Sequence, residues 1–202
     1  MKLFTRKLRT THYYDNKQAR CVATVLKLEK TVIAKVEKKA DNYLVYYALV
    51  SDSARPTKPV AGQYKGVKKI SRVVTGYSQS ASSVNSEIKI ELVAVGDKLE
   101  VRAKTKGKGF AGTVKRHGFN TGPRTHGSHN YRRPGSIGDT GPQRVLKGKK
   151  MAGHMGAVNI RLKNIPVVRV DSEKNEIWLK GHIPGPAKSI VVLEKKESEE
   201  RK

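Results

Sequence analysis

Between Lys98 and Lys150 the chain carries fourteen Lys and Arg, ten glycines and only Glu100 and Asp139 as acids, with few large apolar side chains. A segment of this composition cannot build a core of its own, because too little apolar surface is available to offset the entropy of ordering it. The chain is therefore expected to divide into a packed body and a basic segment that is mobile alone and ordered against a polyanion. The full sequence sets 42 Lys and Arg against 17 Asp and Glu, a formal net charge of +25. About half of that excess falls in this one stretch, and a large anionic partner is the physical consequence.

Nucleic acid is the polyanion that suits these residue types. Lys104, Lys106, Lys108, Lys115, Arg116, Arg124, Arg132, Arg133, Arg144, Lys147, Lys149 and Lys150 can neutralise phosphates and release counterions. His117, His126, His129 and His154 can bond a phosphate or stack on a base without being charged. Gly107, Gly109, Gly112, Gly135, Gly138 and Gly153 are candidates for close approach of the backbone to RNA. Tyr131 and Phe110, interleaved among the cations, either stack on bases or anchor the segment to the body.

The body reads as β. Arg20–Leu28, Thr31–Val36 and Tyr43–Val50 alternate in part with a two-residue period and are expected to be consecutive antiparallel strands, with a turn at Asp41-Asn42. From Ser51 to Ser86 the alternation is lost, and Pro56, Pro59, Gly62 and Gly66 punctuate an expected irregular insertion with one short helix. Ile88–Val93 and Lys98–Ala103 read as two strands joined by a hairpin turn at Ala94–Asp97. Asn159–Val170, Glu176–Gly181 and Ser189–Leu193 follow, the first two linked by the polar connection Asp171–Asn175. The two ends of the chain are thus expected to share one β-domain, with the basic segment inserted between its strands and a frayed charged tail at the carboxyl end.

Other classes fit poorly. Cys21 is the single cysteine, so no internal disulfide or Cys-based zinc site can form, and burial in a strand is its expected fate. No apolar run reaches 18 residues, and the amino terminus lacks the apolar stretch of a secretory signal, which points to a cytosolic protein without a membrane partner. An organellar transit peptide fits less well, since Asp15 comes early. GKGFAGTV has glycine spacing like a nucleotide-binding loop. A dinucleotide fold would need an acid about twenty residues on, where Arg132 stands. Thr113 follows Gly112 where a phosphate-binding loop would have lysine, and no kinase catalytic string occurs. His126 and His129, three apart, have only Asp139 to complete a metal site, amid cations that oppose one. Neither catalytic residues, metal ligands, cofactor nor small-molecule substrate is therefore expected.

Three blocks, KGKGFAGTVKRHGF, THGSHNYRRPGSIG and VLKGKKMAGHMG, resemble the signatures of the bacterial-type L-three family of large-subunit ribosomal proteins. TKPVAGQYKGV and VVRVDSEKNEIWLKGHIPGP are similar to its flanking regions, in matching order from Cys21 to Leu193. The resemblance implies a mainly β fold: a six-stranded Greek-key barrel of the translation-protein type, formed by residues 1–103 and 157–193. A small irregular insertion at about 51–86, a basic extension at 104–156 and a flexible charged tail at 194–202 complete it. It further implies a non-catalytic protein of the cytoplasmic ribosome that binds large-subunit rRNA near its 3′ end and helps early subunit assembly. The extension would thread between RNA helices toward the peptidyl transferase centre. The implied protein neighbours are the large-subunit proteins numbered fourteen and nineteen, and structural Mg²⁺ of the rRNA can lie nearby. Two departures stand out. The amino-terminal block TRKLRTTHYYDN lacks the family's glycines, and DTGPQRVL is one residue short, with Asp139 at or beside a position that is a methylated glutamine in some members. Gln143 lies too far along to take that modification. Asp139 beside RNA would need Arg144 or Mg²⁺ as a partner. A nucleotide-dependent enzyme and a free RNA chaperone are the competing readings.

Overall fold

A computed structural model describes residues 2–15, 18–39, 42–64, 66–78 and 83–195. The turn residue Asp41, part of the expected insertion (79–82) and most of the expected tail (196–202) lie outside the described residues. The described chain falls into two units, one made from residues up to Lys104 and from Asn159 onward, the other being Thr105–Val158.

In chain order the first unit begins with β1 (Lys2–Tyr14), β2 (Arg20–Leu28), β3 (Thr31–Lys39) and β4 (Asn42–Val50). There follow α1 (Lys58–Gln63), β5 (Ile70–Ser78), a 3-10 turn (Ile90–Leu92) and β6 (Lys98–Lys104). The second unit holds β7 (Phe110–Ala111), α2 (Thr113–His117) and β8 (Gly153–His154). The first unit resumes with β9 (Asn159–Asp171), β10 (Glu176–Lys180) and β11 (Ile190–Lys195).

Six strands form a closed ring in the order β1-β11-β6-β9-β10-β2, with β2 returning to β1, and all six pairings are antiparallel. Period-two alternation turns Leu99, Val101 and Ala103 of β6, Ile177 and Leu179 of β10, and Val191 and Leu193 of β11 into a shared core with Phe4 and Leu26. The glycine-poor amino-terminal block supplies β1. It bonds β11 through Lys2–Arg6 and β2 through Thr5–Tyr14, and so closes the ring.

Several expectations need correction. β3 does not pair with β2; it joins β4 and β5 in a separate three-stranded sheet. The stretch expected to be irregular apart from one short helix contains that helix, α1, with Pro59 in its first turn, but also the nine-residue strand β5. β5 pairs along β4 from Tyr43↔Ser78 to Val50↔Ile70. Ile88–Val93 is not a strand, and so makes no hairpin with β6. Only Glu87 bridges Val32, after which the chain turns through Ile90–Leu92. The turn leaves Leu92 exposed and brings Ile88, Ile90 and Val93 into the core, which a straight strand with its alternating faces could not do. Cys21 is half-buried, not buried. β11 runs on through Glu194 and Lys195 into the expected tail, and both residues are ion-paired there.

Candidate nucleic-acid interface

The basic segment springs from two neighbouring strands of the ring, since Lys104 at the end of β6 pairs with Asn159 at the start of β9. Below that junction sits Glu100, a buried carboxylate on β6 that accepts hydrogen bonds from Arg161 on β9 and, at 3.2 Å, from Arg102 Nε. Arg102 also reaches Glu194 on β11 at 3.0 Å, and Lys2 Nζ lies 3.2 Å from the same carboxylate. The hydrogen bond from Arg161, and secondarily that from Arg102, holds the Glu100 carboxyl below its ordinary range.

Within Thr105–Val158 the two legs of the chain pair before they part. Thr105 N–H donates to Val158 O at 2.9 Å, Lys108 N–H to Met155 O at 2.9 Å and Met155 N–H to Gly109 O at 2.9 Å. Phe110 and Ala111 then pair with His154 and Gly153. Next comes α2, closed by Gly118 in the left-handed region (φ 72°), with Lys115, Arg116 and His117 in its last turn, where cations suit the helix dipole. Arg116 Nη1 donates to Met151 O at 2.7 Å and His117 Nε2 lies 3.0 Å from the same oxygen, which ties α2 to the returning leg. Farther out, Gly122 N–H donates to Tyr131 O at 2.9 Å. Arg124 donates to the Tyr131 hydroxyl at 2.6 Å, with its guanidinium 4.8 Å from the ring centre.

Only Ala111 and Thr113 of this unit are buried, and every residue from Arg132 to Lys150 is exposed. Lys106, Lys108, Lys115, Arg116, Arg124, Arg132, Arg133, Arg144, Lys147, Lys149 and Lys150 are all exposed, as is Lys104 at the end of β6. Among the described residues none of the unit's cations has a carboxylate partner, whereas Glu29, Glu37, Glu100, Asp97 and Glu194 of the first unit are all paired. Asp139 is exposed and has no ion pair with Arg144. His126, His129 and His154 are exposed, while half-buried His117 is occupied internally. The site residues thus form an unpaired cationic surface along a thin segment and do not converge on a point, as a reaction centre would require. Gly107 and Gly109 precede the two-residue β7 and Gly112 leads from it into the five-residue α2, without the long strand and helix that a nucleotide loop sits between.

Of the six glycines read as close-approach positions, Gly109 (φ 68°) and Gly135 (φ 75°) occupy the left-handed region. A Cβ on Gly153 would meet Arg116 Nη1 at 2.7 Å, and Gly107, Gly112 and Gly138 have room for one. The most constrained glycine of the unit escaped the sequence reading. Gly156 combines φ 76° with a position where a Cβ would drive into the Lys106 carbonyl oxygen and come within 3.1 Å of Gly107 Cα.

The chain is 36% identical over 197 residues to the large ribosomal subunit protein uL3 of Oceanobacillus iheyensis, an alignment covering 93% of each protein. The chain belongs to the ribosomal protein L3 family. A profile of that family, described as Ribosomal protein L3, matches residues 73–177, from within β5 to β10 and across the whole basic segment. The uL3 of Shouchella clausii is 34% identical over 194 residues, 94% of each chain. That of Bacillus cytotoxicus is 44% identical over 127 residues, 63% of this chain and 60% of that protein. As a member of the L3 family the chain is of the bacterial type and is a structural protein of the large ribosomal subunit.

Proposed function

We propose that this L3-family chain is a non-catalytic component of the cytoplasmic ribosome that binds large-subunit rRNA near its 3′ end and acts early in subunit assembly. In this reading residues 1–103 and 157–193 act as a Greek-key barrel on the RNA surface. The strand order supports it, since β6, β9 and β10 follow one another and β11 returns beside β6. The basic segment at 104–156 then threads between RNA helices toward the peptidyl transferase centre. Lys104, Lys106, Lys108, Lys115, Arg116, Arg124, Arg132, Arg133, Arg144, Lys147, Lys149 and Lys150 contact phosphates, with His126, His129 and His154 beside them. Large-subunit proteins fourteen and nineteen are its neighbours. Asp139, the segment's single carboxylate, meets Mg²⁺ of the rRNA, whose charge would offset its repulsion by phosphates.

One observation carries this reading: eleven Lys and Arg stand on Thr105–Val158 with no carboxylate partner among the described residues, on a unit with two buried side chains. Unpaired cations on a thin segment repel one another in the free protein and are relieved by phosphates. The test is sedimentation of the native protein with large subunits through high salt. An integrated component stays with the subunit; release into the supernatant would favour a loosely bound RNA chaperone and defeat the proposal.

A further inference from the structure

β1 pairs with β11 only over Lys2–Arg6, and β2 meets β10 only from Ala23 to Lys27. His12–Tyr14 and Arg20–Val22 therefore form a two-stranded ribbon, paired to each other and to no third strand among the described residues. In such a ribbon cross-strand partners share a face. Tyr14↔Arg20 and His12↔Val22 lie on one side, Tyr13↔Cys21 and Thr11↔Ala23 on the other. Burial follows this division in part: His12, Tyr14 and Arg20 are exposed, Tyr14 to 74%, with Val22 half-buried on the same face, while Tyr13 and Cys21 are half-buried and Ala23 is in the core.

The exposed face is organised. Arg20 Nη2 lies 3.3 Å from His12 Nδ1. A guanidinium can only donate, so Nδ1 accepts and the ring proton sits on Nε2, which leaves His12 one free donor. One strip thus presents a flat aromatic ring, a guanidinium and an imidazole donor, with Asp15 the only carboxylate in the sequence from Arg9 to Val22. An aromatic ring beside fixed donors suits a base and its phosphate. The deep, narrow major groove of an RNA duplex would not admit the ribbon, whereas an unpaired nucleotide can leave its stack and lie on the ring.

We propose that the β1–β2 ribbon is a second RNA contact, in which Tyr14 stacks on an unpaired base and Arg20 and His12 hold the adjoining phosphate. The proposal rests on the chain being an RNA-bound ribosomal component, but it uses no residue of the basic segment. The test uses the full chain with an oligoadenylate of about 12 nucleotides, within the usual site size for single strands. Tyr14→Ala should weaken binding about tenfold, as loss of one stacked base does. Tyr14→Phe should keep the parent affinity, and both variants should unfold at the parent temperature because the side chain is exposed. In native large subunits, ultraviolet irradiation should join a nucleotide to the peptide holding Tyr14. A Lys147→Gln, Lys149→Gln, Lys150→Gln chain serves as the control for the basic segment. If that chain loses affinity and Tyr14→Ala does not, the ribbon proposal falls and the segment reading stands. If neither loses affinity, both fall. Crosslinking of Tyr14 to a protein and not to RNA would also overturn the ribbon proposal.

Discussion

Gly156→Ala should open the ladder at the base of the basic segment, and the geometry sets by how much. The left-handed backbone at φ 76° costs an alanine about 1–2 kcal/mol. The added Cβ also strikes the Lys106 carbonyl, an oxygen of the main chain that cannot swing aside. The legs must separate, weakening the bonds of Lys108 N–H to Met155 O (2.9 Å) and Ala157 N–H to Lys106 O (3.4 Å), each worth about 1 kcal/mol. Together these come to about 3 kcal/mol, a hundredfold or so in the opening equilibrium. Two controls grade the effect. Gly109→Ala has the same backbone handicap in open space and should cost about 1 kcal/mol, while Gly107→Ala, with normal φ and its nearest neighbour 3.8 Å away, should cost about zero. Hydrogen exchange of the Thr105, Lys108 and Met155 amides in the free chain reads the ladder, and Val101 in β6 serves as internal reference. Gly156→Ala should bring the ladder amides to the rate of the exposed Arg132–Lys150 stretch and leave Val101 unchanged. Unaltered ladder protection in Gly156→Ala, or equal losses in all three variants, would refute the reasoning.

If the segment and ring together neutralise about ten phosphates, log affinity for a large-subunit rRNA fragment should fall against log salt with a slope of roughly −7 to −9. Filter binding between low and moderate salt measures it, and a nearly flat line would remove the polyanion argument. The Glu100 cluster supplies a pH signature. Its carboxyl is held below 4.5 in the folded state, so the stabilisation it gives is complete above that value and is lost as pH falls through the lowered one. Glu100→Gln should therefore melt below the parent at pH 7, with the difference narrowing as pH falls below 4.5 in thermal circular dichroism. A pH-independent gap would show that the carboxylate charge is not what matters.

The strands of the ring were legible because a closed sheet has one face in the core, which writes a two-residue period into Lys98–Lys104, Glu176–Lys180 and Ile190–Lys195. β5 was hidden because it is hydrogen-bonded along only one side. With Arg72 exposed and Gly76 near its end, its burial pattern loses regular alternation. Ile88–Val93 misled for the opposite reason, since Ile88 and Ile90 alternate like a strand for three residues before the chain turns. The cationic surface was readable from composition, because unpaired charge needs no tertiary partner to be recognised. The ladder and Gly156 were not, as both depend on two stretches some fifty residues apart in sequence coming together. The sequence leaves Tyr131 open between stacking and anchoring. It holds Arg124 of its own segment, a pairing across seven residues that no period announces.

The junction Lys104↔Asn159 places the whole basic segment in the position of a hairpin turn. A tight connection of a few residues could join β6 to β9 and leave the ring's wiring unchanged. Lengthening such a link to roughly fifty residues is about four doublings, which on polymer grounds burdens the ring with about 2.5 kcal/mol of closure entropy. Length is therefore thermodynamically cheap at this point in the chain, and the strand pair can tolerate inserted segments of many sizes. A shortened chain carrying only a turn between Lys104 and Asn159 would be a natural minimal scaffold, one whose reach could be altered by design without redesigning its foundation.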